Sequence, residues 1–267
     1  MRVIIVKDQK SMSEAAARFL AEEIKRKPDI VLGLPTGATP LGMYRELVTA
    51  HREGGLSFSS VRIFNLDEYY PISPRHPQSY NRYMWDNFFG RVDIAKENVH
   101  IPSGEVPARD IIKYCESYEK DIFACGGLDI TILGIGRDGH IGFNEPGSSL
   151  SSKTRLKTLT QETISDNGRC FASLSEVPKF AITMGISTIL SSRVIMLLAS
   201  GRNKAEALAK AIEGPVTCEV PASSLQLHKE VVIIADEEAA NALKRKKYHK
   251  FVEKMWLKDV WPGMLYK

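Results

Sequence analysis

The chain has 267 residues, 43% hydrophobic and 25% charged, which is typical of an ordinary globular protein long enough to bury a core. The formal charge of +4 comes from 36 basic and 32 acidic residues, a balance that does not indicate a nucleic-acid partner. No apolar run approaches the roughly 20 residues that would span a membrane, and Asp8 interrupts any secretory signal. The four cysteines are irregularly spaced, so we expect reduced thiols in a cytoplasmic protein.

Short β-branched runs alternate with helical patterns along the chain. The predicted strands are 3–6, 30–34, 61–64, 130–133, 194–198 and 231–235. The first predicted helix opens at Ser11, where Glu14 would complete a capping box. Further helices are predicted over 40–50, 80–89, 108–123, 204–212 and from Glu237 onward. The alternation predicts an α/β fold, a single Rossmann-like domain over 1–267 whose mostly parallel open sheet is flanked by helices. The polar stretch 160–178 lacks a period and is predicted to be a mobile surface segment.

Ligands bind beyond the carboxyl ends of such strands, so the loops there hold the functional candidates. The first loop, 33–40, reads GLPTGATP, with Thr39 predicted as N-cap and Pro40 as the first helical residue. Thr36, Gly37 and Ala38 are small enough to let an anion approach a helix N-terminus. The ending of a Walker loop is missing. The loop is therefore either a phosphate site without NTP hydrolysis or a plain turn.

The second loop, 65–70, reads NLDEYY and carries two adjacent carboxylates, Asp67 and Glu68. Apolar and aromatic neighbours can desolvate a carboxylate and raise its pKa toward that of a working base. An ordinary acidic turn is the alternative interpretation.

The third loop contains G-x-G-x-x-G at 134–139, the pattern of a dinucleotide-binding turn. Such a turn must lead straight into a helix, whereas HIGFNEPG follows here, with two more glycines and a proline. Instead, the loop holds Asp138, His140 and Glu145 within eight residues. Histidine suits proton transfer near neutral pH, and flanking carboxylates can orient its ring. With one imidazole the set is a poor metal site, and no metal is expected.

Five motifs in order along the chain resemble the glucosamine-6-phosphate deaminase family. They are GLPTGATP (33–40), FNLDEYY (64–70), GIGRDGHIGFNEP (134–146), SKTRLKT (152–158) and SLQLH (224–228). Each motif is weak alone, but the combination is specific and covers essentially the whole chain.

The resemblance implies that glucosamine 6-phosphate and water become fructose 6-phosphate and ammonia, in amino sugar catabolism, without metal or organic cofactor. By match to the family motifs, His140 would open the pyranose ring, oriented by Asp138 and Glu145. Asp67 would move a proton from C2 to C1.

The resemblance also implies two phosphate-binding groups. The substrate phosphate would be held by Thr36, Gly37, Ala38, Thr39, Arg169 and Lys204, under a lid formed by 160–178. An effector, N-acetylglucosamine 6-phosphate, would bind between subunits of a homo-oligomer, a hexamer by analogy. Its contacts would be Met1, Ser148, Ser149, Arg155, Lys157, Thr158 and Tyr248. Val194 replaces an expected acidic residue, so we expect the effector to bind but to activate weakly or not at all.

Two other functions would fit parts of this pattern. A 6-phosphogluconolactonase-like hydrolase shares a similar glycine-rich loop, although the FNEP continuation at 143–146 and the loop around Asp67 favour the deaminase. A non-catalytic sugar-phosphate sensor would be expected to carry a DNA-binding module and to have lost catalytic residues.

Overall fold

The main sheet has seven strands in the described part of the chain, and all of them are parallel. The computed structural model describes residues 1–168 and 171–256, apart from the side chain of residue 166. Numbered in chain order, the main-sheet strands are β1 Arg2–Val6, β2 Val31–Leu34, β3 Arg62–Asn65, β5 Val99–His100, β6 Ile130–Gly134, β9 Val194–Ala199 and β10 Val231–Asp236. Their order across the sheet is β1-β10-β9-β6-β2-β3-β5. All six predicted strands are present within a residue or two, and the mostly parallel sheet is confirmed.

A second, antiparallel sheet contains three short strands that were not predicted. They are β4 Asp67–Tyr70, β7 Arg155–Thr158 and β8 Phe180–Thr183, with β8 in the middle. The predicted loop at 65–70 is therefore largely a strand. Its pairing partners are far away in sequence, so no local pattern shows the pairing. The register places Thr183 opposite both Asp67 and Arg155.

Eight α-helices accompany the sheets in the described part of the chain. They are α1 Gln9–Arg26, α2 Ala38–Arg52, α3 Tyr80–Asn87, α4 Ile111–Ala124, α5 Gln161–Asn167, α6 Ile186–Leu190, α7 Ala205–Glu213 and α8 Lys246–Met255. Helices α5 and α6 were not predicted. Residues 108–110 and 202–204 form 3₁₀ turns that precede α4 and α7. The helix predicted over 80–89 ends at Asn87, before a 3₁₀ turn at Phe89–Arg91.

Two of the predicted helix starts are wrong because another residue caps the helix. Helix α1 begins at Gln9, because the Asp8 side chain caps it by accepting the backbone N–H of Ser11 at 2.8 Å. Ser11 is thus inside the helix, and the capping box predicted there does not form. Helix α2 begins at Ala38 after Gly37, whose φ of 104° suits a residue without Cβ, so Thr39 is not its N-cap.

The helix predicted from Glu237 onward starts nine residues later, at Lys246. The cause is a turn at the end of β10, where the Asp236 carboxylate accepts the backbone N–H of Ala239 at 2.7 Å. Glu213 then accepts the backbone N–H groups of Lys244 and Arg245. These local bonds satisfy the backbone without a helix.

Burial on both faces of the main sheet fixes where ligands can bind. Every residue of β2 and β9 is buried, as expected for a parallel sheet covered by helices. One hydrophobic cluster includes Leu20 and Met43 and the other includes Leu133 and Leu208. With both faces filled, the carboxyl edge of the sheet is the place left for a site. Within the described residues, no helix is long and apolar enough to cross a membrane.

The close contact of α1 with α2 gives a test of this packing. A Cβ built on Gly42 would lie 2.2 Å from Ser13 Oγ and 2.8 Å from Ser13 Cβ. We expect Gly42→Ala to lower the free energy of unfolding by ~1–3 kcal/mol, because α2 must move away. Urea denaturation measures the loss, and in a Ser13→Gly background most of it should disappear. Since alanine favours helix over glycine by ~1 kcal/mol, a more stable Gly42→Ala protein would contradict this packing.

Candidate active site

A cleft of about 660 Å³ opens at the carboxyl edge of the main sheet. Loops that follow β2, β6 and β9 form much of its lining, through residues 35–40, 134–137, 200, 201, 203 and 204. Asp67 and His140 also line it. The structure therefore brings all three loops singled out in the sequence to one cleft.

The adjacent carboxylates Asp67 and Glu68 have different surroundings. Both are buried, but only Asp67 lines the cleft. Glu68 accepts four hydrogen bonds, two of them from Ser79 Oγ at 2.6 Å and the backbone N–H of Asn81 at 2.9 Å. The other two come from the backbone N–H groups of residues 69 and 80, both at 2.9 Å. Glu68 thus holds the N-terminus of α3, where a negative charge is favoured.

Asp67 sits in a low-polarity setting that disfavours its charge. Burial, and secondarily the charge of Glu68, raises the pKa of Asp67 from 3.8 to about 8. Gly142 approaches it so closely that a Cβ there would lie 3.4 Å from Asp67 Oδ2. A carboxyl group with this pKa can accept and return a proton near neutral pH.

The glycine-rich loop presents His140 to the cleft. Its ring Nδ1 lies 2.7 Å from Asp138 Oδ1, and the same oxygen accepts the His140 backbone N–H at 3.1 Å. Although burial opposes ionisation, the bonds and charge of His140 lower the pKa of Asp138. The loop then turns at Gly139, with a φ of 89°, and residues 137–154 contain no helix. A helix for a dinucleotide pyrophosphate is therefore missing, as the sequence indicated.

Glu145, predicted beside His140, is fully buried and does not line the cleft. Both of its carboxylate oxygens accept the backbone N–H of Thr160 at 3.0 Å, and one accepts Thr160 Oγ1 at 2.9 Å. Thr160 is the N-cap of α5. Glu145 therefore connects the glycine-rich loop to the start of the 160–178 segment.

The turn at the N-terminus of α2 fits an anion. The first N–H groups of a helix have no partner within the helix and carry a partial positive charge. Hydroxyl groups hold the turn from its carbonyl side, with Tyr44 donating to Pro35 O at 2.5 Å and Tyr83 to Gly37 O at 2.6 Å. Lys204 lines the same cleft. Arg169, also predicted to bind phosphate, lies outside the described residues.

The residues predicted to bind an effector come from several elements. The buried Ser148 hydroxyl has no hydrogen-bond partner among the residues that the structure describes, whereas the Ser149 hydroxyl lies 2.9 Å from that of Ser151. Arg155 donates to Asn144 Oδ1 at 2.9 Å. The remaining residues are Lys157 and Thr158 on β7, the exposed Met1, and the exposed Tyr248 on α8. Val194, where an acidic residue was expected, is buried in the hydrophobic core.

Several residues that line the cleft were not identified from the sequence. Tyr80 reaches it from α3, and Thr163 and Asn167 from α5. Ser200 and Asn203 come from the loop after β9. These polar side chains stand in no motif, and only the prediction of a loop after the strand at 194–198 points to the last two. Within the described chain, no three His, Cys, Asp or Glu side chains cluster as metal ligands do.

Comparison with known sequences identifies close relatives. A family model described as glucosamine-6-phosphate isomerases/6-phosphogluconolactonase matches residues 7–234. The glucosamine-6-phosphate deaminase of Shewanella loihica is 49% identical over 253 residues, which cover 95% of this chain and 94% of the relative. That of Thermoanaerobacter sp. is 51% identical over 243 residues, or 91% of this chain and 95% of the relative.

Solved structures agree with the sequence comparison. A monomeric glucosamine-6-phosphate deaminase of 47% identity matches with a TM-score of 0.88, covering 91% of this chain and all of its own. A 6-phosphogluconolactonase from Trypanosoma cruzi matches with a TM-score of 0.70 at 23% identity, covering 91% of this chain and 97% of its own. The second likeness concerns the fold alone.

The raised pKa of Asp67 predicts a stability effect with a definite sign. Above pH 4 the unfolded chain releases this proton, whereas the folded chain keeps it until about pH 8. Stability is therefore lost as the pH rises between these values, by several kcal/mol at most. We expect Asp67→Asn, which cannot ionise, to have a higher free energy of unfolding than the wild type at pH 8. At pH 5 this advantage should be much smaller. Urea denaturation at both pH values, with the exposed Asp86→Asn as charge control, checks this, and an equal difference at both would refute it.

Proposed function

The chain belongs to the family of glucosamine-6-phosphate isomerases and 6-phosphogluconolactonases, and we propose that it acts as the glucosamine-6-phosphate deaminase of that family. The family, the fold and this enzyme activity were predicted from the sequence, and the comparisons confirm them. The 6-phosphogluconolactonase alternative corresponds only to distant relatives.

The observation that carries the mechanism is the placement of Asp67. A lactonase needs a base that activates water, whereas a deaminase needs a group that removes a proton from one carbon and returns it to the next. A buried carboxyl whose pKa is about 8 suits such a two-way transfer. His140, paired with Asp138, faces the same cleft and supplies a second proton-transfer group.

The proposed reaction begins with the sugar phosphate at the N-terminus of α2, held by 36–39 and Lys204. His140 moves a proton between O5 and O1 and so opens the ring, while Asp138 stabilises the imidazolium. In its deprotonated form, Asp67 removes the C2 proton while O1 takes up a proton from solvent, which gives an enolamine, and Asp67 then returns its proton to C1. The resulting imine at C2 adds water and loses ammonia, leaving fructose 6-phosphate. No step needs a metal or an organic cofactor.

The 160–178 segment is proposed to act as a lid. Its helix α5 lines the cleft through Thr163 and Asn167. Its first residue, Thr160, is held by Glu145. In this proposal Glu145 ties the lid to the loop that carries His140, and the orientation of His140 by Glu145 stays a prediction.

We also propose the remaining sequence-based assignments. N-acetylglucosamine 6-phosphate would bind between subunits, in contact with Met1, Ser148, Ser149, Arg155, Lys157, Thr158 and Tyr248. A cytoplasmic location and a homohexamer complete the proposal. One solved relative is a monomer, so the oligomeric state of this chain needs its own measurement.

A two-substrate assay tests the activity. With glucosamine 6-phosphate, the purified protein should release ammonia and fructose 6-phosphate, and with 6-phosphogluconolactone it should release no acid above the spontaneous rate. The reverse result would identify a lactonase.

The role of Asp67 is tested by Asp67→Asn. A well-placed general base contributes ~10²–10⁴-fold to the rate, so we expect kcat to fall at least ~100-fold. Exchange of the substrate C2 proton with solvent deuterium, followed by NMR, should stop as well. Inorganic phosphate should bind with unchanged affinity, which shows that the site is intact. Near wild-type turnover would remove Asp67 from this role.

The effector is tested separately by binding and by kinetics. We expect N-acetylglucosamine 6-phosphate to raise the Tm, because Arg155, Lys157 and the hydroxyls remain to hold a phosphate. We expect little change in the substrate concentration at half-saturation, because activation needs differential contacts between two states. A severalfold drop in that concentration would show that Val194 does not impair activation.

A further inference from the structure

Asp236, at the carboxyl end of β10, is buried and bonded to the neighbouring loop. Its carboxylate accepts Ser200 Oγ at 2.6 Å and the backbone N–H of Gly201 at 3.0 and 3.1 Å, one distance to each oxygen. A fourth bond comes from the backbone N–H of Ala239 at 2.7 Å. Asp236 as a whole residue is only 4% exposed, and it does not line the cleft. A buried charge with this many donors is held in one orientation.

The loop that Asp236 holds is one wall of the cleft. Residues 200, 201, 203 and 204 line it directly after β9, the strand that pairs with β10. Gly201 has a φ of 88°, a conformation that favours glycine, and it turns the chain toward Lys204. Asp236 therefore holds the turn that sets where the Asn203 and Lys204 side chains begin.

The two loops at this end of the cleft are held in opposite ways. The turn before α2 is held by its carbonyl groups, on Pro35 and Gly37, and these two bonds use none of its N–H groups. The turn after β9 is held by the N–H of Gly201, which is already donated to Asp236. That N–H is therefore not free to bind a ligand, whereas Asn203 and Lys204, which follow it, line the cleft.

We propose that Asp236 is a positioning residue for phosphate recognition: it fixes the 200–204 turn so that Lys204 and Asn203 face a phosphate at the N-terminus of α2. The inference rests on the proposed function in that the ligand is a sugar phosphate. It adds that the turn before α2 binds the phosphate through backbone N–H groups and the 200–204 turn binds it through side chains.

The proposal and a purely electrostatic role predict opposite signs. A carboxylate close to a bound phosphate repels it, so removing the charge alone would tighten phosphate binding. In Asp236→Asn, one carboxylate oxygen is replaced by an amide NH₂, which cannot accept the hydrogen bonds from Ser200 and Gly201. The 200–204 turn therefore loses its fixed position. Positioning therefore predicts weaker binding after the same substitution.

The experiment measures binding of inorganic phosphate by isothermal titration calorimetry, without substrate. For Asp236→Asn we expect the Kd to rise about tenfold, because small displacements of a binding group are costly. The KM for glucosamine 6-phosphate should rise by a similar factor, with kcat changed less than about threefold. Glu237→Gln is the matched control, since it removes a neighbouring, half-buried charge that pairs with Lys246 and Lys250 outside the cleft lining, and it should leave the Kd unchanged.

Ser200→Ala keeps the test decisive if Asp236→Asn does not fold. It removes one of the four bonds and should raise the Kd for phosphate about two- to threefold, with the fold retained. An unchanged or lower Kd in the folded variants would overturn the proposal, and so would a wild type that does not bind phosphate. A wild type that binds phosphate but does not release ammonia would instead overturn the proposed function. In that case, weaker phosphate binding by Asp236→Asn would still support the positioning role.

Discussion

The site depends on one electrostatic constraint, the burial of two adjacent carboxylates at the start of β4. Burial raises the pKa of both carboxyl groups, and the charge of Glu68 raises that of Asp67 further. Glu68 has four hydrogen-bond donors and sits at a helix N-terminus, so it is the member that can carry the charge. Asp67 faces the cleft and keeps its proton up to about pH 8. Because their surroundings differ, Glu68 anchors the N-terminus of α3 and Asp67 can transfer a proton.

The small antiparallel sheet keeps this pair in place relative to the glycine-rich loop. Thr183 is the register partner of Asp67 on one side and of Arg155 on the other. Its hydroxyl accepts the backbone N–H of Phe143 at 3.1 Å. Arg155 in turn bonds to Asn144, next to Glu145. Strand β8 therefore connects Asp67, the loop that carries His140, and β7, on which three of the proposed effector contacts lie.

Much of the fold followed from local patterns in the sequence. The buried strands of the main sheet are short runs of β-branched residues, and such runs alternate with helical periods over most of the chain. The three functional loops were located by their position after these strands, and the structure gathers them in one cleft. Helix starts were less predictable, because Asp8 and Gly37 compete with Ser11 and Thr39 as caps by equally ordinary chemistry.

The rest depended on contacts between residues distant in sequence. Nothing in DEYY shows that β4 pairs with a strand more than a hundred residues later, or that Glu68 caps α3. The positioning of the 200–204 turn by Asp236 is likewise a contact between neighbouring strands. Such contacts decide which of two like residues meets the ligand, and a motif alone does not show them.

The most direct measurement is the titration of the Asp67 carboxyl itself, followed by its carbon chemical shift in NMR and assigned by its loss in Asp67→Asn. The account predicts a midpoint near 8, far above the ordinary value of 3.8, in the free protein. A midpoint near 3.8 would contradict it, because Asp67 would then be charged throughout the neutral range, like an ordinary carboxylate.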